Sequence, residues 1–266
     1  MQKKVAVAFF GIPRASNICV PSIEENILNP LKRMGAKVEV FFHLFEIDQI
    51  SNKRSGEDGL LDQSNYEFFN KYDGELEGPE KCLDIWKYPD IEKRGDYWGD
   101  NFKSLKNLIH QLHSLHSVTL RLSKYDPDIA VFVRPDLLYH DKISEGCLNK
   151  CLENPDAAVL PNWQWYMGYN DRFSICGKNA IRAYGQRAEN LVDFIQLSNG
   201  PLHAETFLEY SLRLNKIRVV TTRMRASRVR VGGIVENENF NSFRTAGSFR
   251  SLGHLALRKF IPGSSC

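Results

Sequence analysis

Residues 3–11, "KKVAVAFFG", are a nearly unbroken apolar run closed by a glycine, the pattern of a strand buried on both faces. The next segment, "SIEENILNPLKRMGA" (22–36), changes period. Ile23, Ile27, Leu28, Leu31 and Met34 recur at helical spacing, and Ser22 stands as N-cap with Glu25 three residues on. Pro30 is expected to kink or split this helix. "KVEVFFHLF" (37–45) returns to strand character. Strand, helix and strand in direct succession make a βαβ unit, which implies a parallel sheet.

Residues 46–100 lose the pattern. They are polar, rich in Gly, Asp and Lys, and broken by Pro79 and Pro89, as an insertion with short helices would be. Order returns in "NFKSLKNLIHQLHSLHSVTLRLSKY" (101–125). Leu105, Leu108, Ile109, Leu112, Leu115, Val118, Leu120 and Leu122 form a wide stripe on a long helix. A strand (128–134), a helix (142–153) and a short strand (157–161) follow. Helices are expected at 178–196 and 203–215, and a last strand at 216–222. The expected class is α/β: one domain over 1–266 with a Rossmann-type, mostly parallel sheet flanked by helices. Residues 46–100 are its polar insertion and 223–266 its basic C-terminal segment.

Composition adds little to this picture, but charge distribution adds something. Hydrophobic residues at 42% supply a core, and the net charge is only +3. From Lys216 to Lys259, ten Lys/Arg stand against Glu236 and Glu238, so this stretch is about +8 and the rest about −5. A cationic tail suits an anionic partner such as phosphate or a membrane surface; a solvated charged face is the plainer reading. No apolar run reaches the ~18 residues of a membrane span, and "MQKK" leads into a strand without a signal-peptide core. The expected setting is cytoplasmic, with peripheral membrane contact through the basic segment. Cys147 and Cys151 lie four apart, with no partner pair at zinc-ligand spacing.

Alternating strands and helices place ligand sites at the carboxyl ends of strands. Two such ends carry chemistry. In "FFGIPRASN", Gly11 permits close backbone approach and Arg14 offers a planar fork for phosphate or carboxylate. The Gly-x-x-x-x-Gly-Lys pattern is absent, so this is no P-loop. In "AVFVRPDLLYHD" (130–141), a core strand runs into Arg134 and Asp136 around Pro135. A carboxylate there can bind a divalent metal, and an Arg can bind diphosphate; an ion pair capping the strand is the competing reading. The segment "PNWQWYMGYNDRFSICGKNAI" (161–181) interleaves Trp163, Trp165, Tyr166, Tyr169 and Phe173 with Asn162, Gln164, Asn170, Asp171 and Arg172, a mixture suited to carbohydrate or to a clamped hydrophobic loop. "PLHAETFLEYSL" sets His203 and Glu205 at a helix start, as a general base or simply a favourable charge for the helix dipole.

These stretches together resemble bacterial or viral surface-polysaccharide glycosyltransferases of the GT-A type. "VAVAFFGIPR", "YDPDIAVFVRPDLLY", "GYNDRFSICGKNAI" and "HAETFLEYSL" occur over residues 3–230 in the order such enzymes show. The resemblance implies a GT-A-like fold, a nucleotide-sugar donor, a glycan or glycolipid acceptor, and no nucleic acid. Gly11, Arg14, Arg134 and Asp136 would hold the donor, with Arg225, Arg228 and Arg230 at its diphosphate. Trp163, Trp165, Tyr169, Asn170 and His203 would hold the sugars. Glu205, with Asp171 as alternate, would be the base. Asp136 would carry Mn²⁺ or Mg²⁺ as the remnant of Asp-x-Asp. This chain departs from that motif at its first position, which is Arg134, a cation able to replace part of the metal's role. Two other readings remain: a sulfotransferase-like enzyme using Gly11–Asn17 as a phosphate loop, and a non-catalytic carbohydrate-binding module.

Overall fold

Strand β1 (Lys4–Gly11) is buried along its inner length, and its side chains divide by parity. Val5, Val7 and Phe9 enter one core cluster; Ala6, Ala8 and Phe10 enter another on the opposite face. A strand with period two and two apolar faces needs helices on both sides. The computed structural model of the chain, which describes residues 2–52 and 56–241, supplies them.

Helix α1 (Ser16–Ile23) runs through a π-helical segment, Glu24–Leu28, into α2 (Asn29–Arg33). The helix therefore starts at Ser16, and Ser22 is no N-cap: its hydroxyl donates to Cys19 O (2.7 Å) and accepts from Tyr139 N (3.0 Å). Pro30 does not split the helix. Its ring removes the N–H that would bond Asn26 O, and the wider π turn makes room for it. The freed Asn26 carbonyl accepts from Ile143 N at 2.8 Å instead. Strand β2 (Lys37–Phe45) then pairs parallel with β1 over its length, completing the βαβ unit.

The polar region has more order than its composition suggests. Strands β3 (Gln49–Asn52) and β4 (Glu57–Leu60) pair antiparallel, and helix α3 (Ser64–Glu67) follows. Strand β5 (Asp73–Glu77) adds to β2 as the parallel edge of the main sheet. Its sequence, "DGELE", lacks an apolar alternation because an edge strand left largely open to solvent needs none. Short helices α4 (Lys81–Ile85) and α5 (Tyr88–Glu92) lead to α6 (Lys103–Ser123). The stripe of α6 is buried as expected except Leu120, which lies half exposed on the far face.

Strands β6 (Ile129–Val133) and β7 (Leu137–Tyr139), helix α7 (Glu145–Glu153) and strand β8 (Ala157–Pro161) come next. Strand β9 (Ser174–Gly177), within the aromatic segment, was not expected; it runs antiparallel between β6 and β8. The helix expected over 178–196 is instead α8 (Ala180–Gly185), a 3₁₀ turn and α9 (Leu191–Ser198). Helix α10 (Ala204–Leu214) and strands β10 (Arg218–Thr222) and β11 (Ala226–Arg228) follow. The seven-stranded sheet has the order β10-β8-β9-β6-β1-β2-β5 and is parallel apart from β9. This is a Rossmann-like α/β architecture. Among the described residues no helix is long and apolar enough to cross a membrane. The end of the basic segment, including Arg244, Arg250, Arg258 and Lys259, lies outside the described residues.

Candidate functional site

The chain order reverses at β1, which has β2 on one side and β6 on the other. Such a reversal leaves a crevice beyond the carboxyl ends of the two strands. A cleft of about 500 Å³ opens there. Gly11 and Arg14 enter it from the end of β1, and Arg134 from the end of β6. Asn107 and Gln111 come from α6, Asp171 and Arg172 from the segment before β9, His203 and Glu205 from the start of α10, and Arg228 and Arg230 from β11 and the turn after it. Gly11 has φ +101°, a backbone state that side chains rarely adopt, and open space around its missing Cβ.

The Arg-Pro-Asp ending of β6 is an internal clamp. Arg134 grips Asp136 with two bonds, Nε to Oδ1 at 2.9 Å and Nη2 to Oδ2 at 2.7 Å. Arg14 Nε lies 3.3 Å from the same Oδ2. From there ion pairs run on: Arg14 to Glu57, Glu57 to Arg230, Arg230 to Glu236. A second group joins Arg172, Arg228 and Gln164 on Glu238. Burial alone would raise Asp136, but Arg134, Arg14 and Arg230 hold it below the usual carboxylate range. Burial works the same way on Glu238, where Arg172 and Arg228 prevail and bring it to about 2. These pairs occupy part of each guanidinium, which has five N–H donors. The five arginines line the cleft and keep between 10% and 30% of their side chains exposed.

Glu205 and His203 meet beside this wall, with Nε2 and Oε2 3.1 Å apart. That distance suits an ion pair, yet both shifts run against one. Burial, then the nearby charge of Asp171, raises Glu205 to about 8. Burial lowers His203 to about 4, only partly offset by Asp171. Desolvation disfavours both charged forms, so the two groups stand in contact as neutral species, the Glu205 carboxyl keeping its proton. Asp171 Oδ2 accepts from Gln111 Nε2 at 2.7 Å, and Gln111 Oε1 contacts Arg134 Nη1 at 3.4 Å. Gln111 thus joins Asp171, whose charge acts on Glu205, to the arginine wall.

Several expected ligand contacts are structural. Trp163 is fully buried and donates to Met224 O at 2.9 Å; Trp165 donates to Pro161 O. Tyr169 packs edge-on against Trp165 at 5.0 Å, inside the core. Asn170 bonds Trp163 O and Arg172 N, shaping the loop. These four residues do not line the cleft, and neither does Arg225, which pairs with Asp141 at a separate cavity. Polar-aromatic interleaving marks a loop that must satisfy its own buried backbone as readily as a sugar site. The tyrosine and tryptophan rings that do line the cleft are Tyr97, Trp98 and Tyr166. Their only sequence signal was the cluster "DYWGD" and a tyrosine beside the tryptophans. Gln111 and Glu57 carry no motif at all.

The donor sets speak against a metal. Both Asp136 oxygens are occupied by guanidinium groups, and a divalent cation there would sit among Arg14, Arg134 and Arg230. The expected Mn²⁺ or Mg²⁺ at Asp136 does not fit this geometry. A second group, His43, Glu77 and His113, has metal-like composition. Trp86 Nε1 donates to His113 Nδ1 at 3.0 Å, so the His113 proton sits on Nε2 and points at Glu77 Oε2, 2.8 Å away. A metal on Nε2 would need the opposite tautomer, with Nδ1–H facing the Trp86 N–H. Glu77 is better described as accepting from two imidazoles, His43 being the other at 2.9 Å. In the phosphate-loop reading of Gly11–Asn17, three of the backbone donors are already engaged. The amides of Gly11, Ser16 and Asn17 bond Ser114 Oγ, Pro13 O and Asn65 Oδ1.

No protein-family model matches the chain, and no curated protein sequence matches it either. The functional reading therefore rests on the cleft itself.

Proposed function

We propose that the chain is a glycosyltransferase of GT-A type that moves a sugar from a nucleotide-sugar donor to a glycan acceptor. The observation that carries this reading is a switch-point cleft with five guanidinium groups on its wall and the Glu205–His203 proton pair beside them. Glycosyl transfer needs those two things in one place. The bond between the sugar's anomeric carbon and the diphosphate oxygen breaks, and the diphosphate leaves with the electron pair. Arg14, Arg134, Arg228 and Arg230 stabilise that charge, the task a metal performs elsewhere. The acceptor hydroxyl oxygen bonds the anomeric carbon and gives its proton to ionised Glu205, a base matched to mildly alkaline pH. Asp171 holds sugar hydroxyls or the developing positive charge.

The test is a thermal-shift and turnover screen against UDP-, GDP- and dTDP-sugars, with and without Mn²⁺. A ligand that binds the folded chain raises Tm, and the reading expects this for at least one nucleotide sugar without added metal. If no nucleotide or nucleotide sugar raises Tm and none is consumed, the reading fails. Strict dependence on Mn²⁺ would remove the arginine wall from its role.

A further inference from the structure

The cleft has two unlike ends. The arginine end is described above; the other is built from aromatic rings that the transfer chemistry leaves without a task. Tyr97 and Tyr166 both line the cleft and are 41% and 45% exposed, whereas Trp163, Trp165 and Tyr169 are buried. Large rings left open at a cleft mouth cost hydrophobic free energy unless something covers them. Tyr97 is also held in place, and so is the loop that carries Tyr166. The Asp96 carboxylate accepts from Trp98 N (3.0 Å) and Phe102 N (2.9 Å), which fixes the turn carrying Tyr97. The Tyr97 ring lies tilted against His203 at 4.2 Å and meets Trp98 edge-on at 5.4 Å. Tyr97 OH donates to Met167 Sδ at 3.3 Å, tying its turn to the loop that carries Tyr166. That loop is seated on α10: Tyr169 N donates to Glu205 O at 3.1 Å.

We propose that Tyr97 and Tyr166 form a saccharide subsite that takes a pyranose ring of the acceptor glycan. The inference rests on the glycosyltransferase reading for the word acceptor, but the subsite itself stands on the geometry. An aromatic face matches the C–H face of a pyranose, while the exposed Asn107 amide in the same lining offers partners for its hydroxyls. His203 fixes the placement. It touches the Tyr97 ring on one side and the Glu205 carboxyl on the other, so a ring resting on Tyr97 has its hydroxyls next to the proton acceptor. Rigid aromatic anchors lose little conformational entropy on binding, which favours a weak, shape-selective ligand such as a sugar.

The experiment uses the full chain and two sets of probes, read by saturation-transfer NMR and calorimetry. One set is the methyl glucosides, galactosides and mannosides with their disaccharides; the other is free UDP and GDP. The wild-type chain is expected to bind at least one saccharide, and Tyr166→Ala to weaken it about tenfold while nucleotide affinity follows the wild type. Tyr166→Phe, which keeps the ring, restores binding. Tyr97→Ala should behave like Tyr166→Ala provided its Tm shows an intact fold. The proposal is overturned if the wild type binds no saccharide of the set, or if Tyr166→Ala binds it unchanged. Weakening of UDP or GDP in place of the saccharide would assign the rings to a nucleobase and also overturn it. Ring-dependent saccharide binding with no nucleotide or nucleotide-sugar binding would sink the glycosyltransferase reading and leave the subsite standing.

Discussion

Glu205 holds a proton that an ordinary glutamate releases near pH 4.5, because burial and Asp171 raise it to about 8. A carboxyl whose folded pKa is raised contributes stability that is complete below its unfolded value and is lost as pH rises through the folded one. Glu205→Gln keeps the shape and never ionises. Its Tm should exceed that of the wild type at pH 9, with the difference shrinking as pH falls below 8. Turnover of the same variant should drop by ~10²–10⁴-fold with little change in donor affinity. In the wild type kcat/KM should rise with pH to a plateau above about 8. A Tm difference that does not vary with pH would show that Glu205 is not the buried acid described here.

Elements place these side chains through close backbone contacts. The loop before β9 meets the first turn of α10 at Gly168, where an added Cβ would lie 2.1 Å from Glu205 O and 2.5 Å from Thr206 N. Backbone on both sides leaves nothing to give way. Gly168→Ala should lower stability by about 1–3 kcal/mol and displace Glu205 and Asp171 relative to each other. Gly78→Ala, with nothing within 4 Å of its new methyl group, is the control and should leave Tm near the wild type. Equal denaturation midpoints for the two variants would mean the loop is not seated on the helix. The same segment shows why patterning misled: its aromatic and amide residues read as a ligand surface, but Asn170 satisfies the loop's own backbone and Trp163 donates to Met224 O beyond β10.

Across the whole molecule, buried carboxylates join segments far apart in the chain. Asp136 binds Arg14 and Arg134, and Glu238 ties the last described segment to Gln164, Arg172 and Arg228. Both carboxyls are depressed in the fold, so the stability they contribute is present above their ordinary values of 3.8 and 4.5 and is lost as pH falls below them. Acid unfolding should therefore steepen below about pH 4.5, toward pH 2, at low and high salt alike, since buried pairs are poorly screened. Asp136→Asn should cost about 3–5 kcal/mol at pH 7 by leaving buried guanidinium groups without their counter-charge. Denaturant midpoints across pH, followed by circular dichroism, test both; a wild-type midpoint that is flat between pH 5 and pH 2 would contradict the network.

Local pattern determined much of the architecture. The runs at 3–11 and 128–134 and the second half of 37–45 have one favourable arrangement, strands covered on both faces, because each must bury two apolar sides. The stripe of α6 and the start of α10 follow equally from periodicity. The strand ends were legible as sites because a parallel sheet exposes its carboxyl ends, and Gly11, Arg14, Arg134, Asp171, His203, Glu205, Arg228 and Arg230 do line one cleft. Tertiary structure alone decided the rest. The polar strand β5 is held by backbone pairing at a sheet edge, which needs no side-chain pattern. Which aromatic rings face ligand depends on what packs behind them: of the rings in 161–181 only Tyr166 lines the cleft, joined by Tyr97 from the polar region, while Trp163 and Trp165 are buried. Charge partners such as Glu57 and Arg230, 173 residues apart, are adjacent only in the fold. The protonation of Glu205 follows for the same reason, because desolvation and the field of Asp171 are properties of a place and not of a residue type.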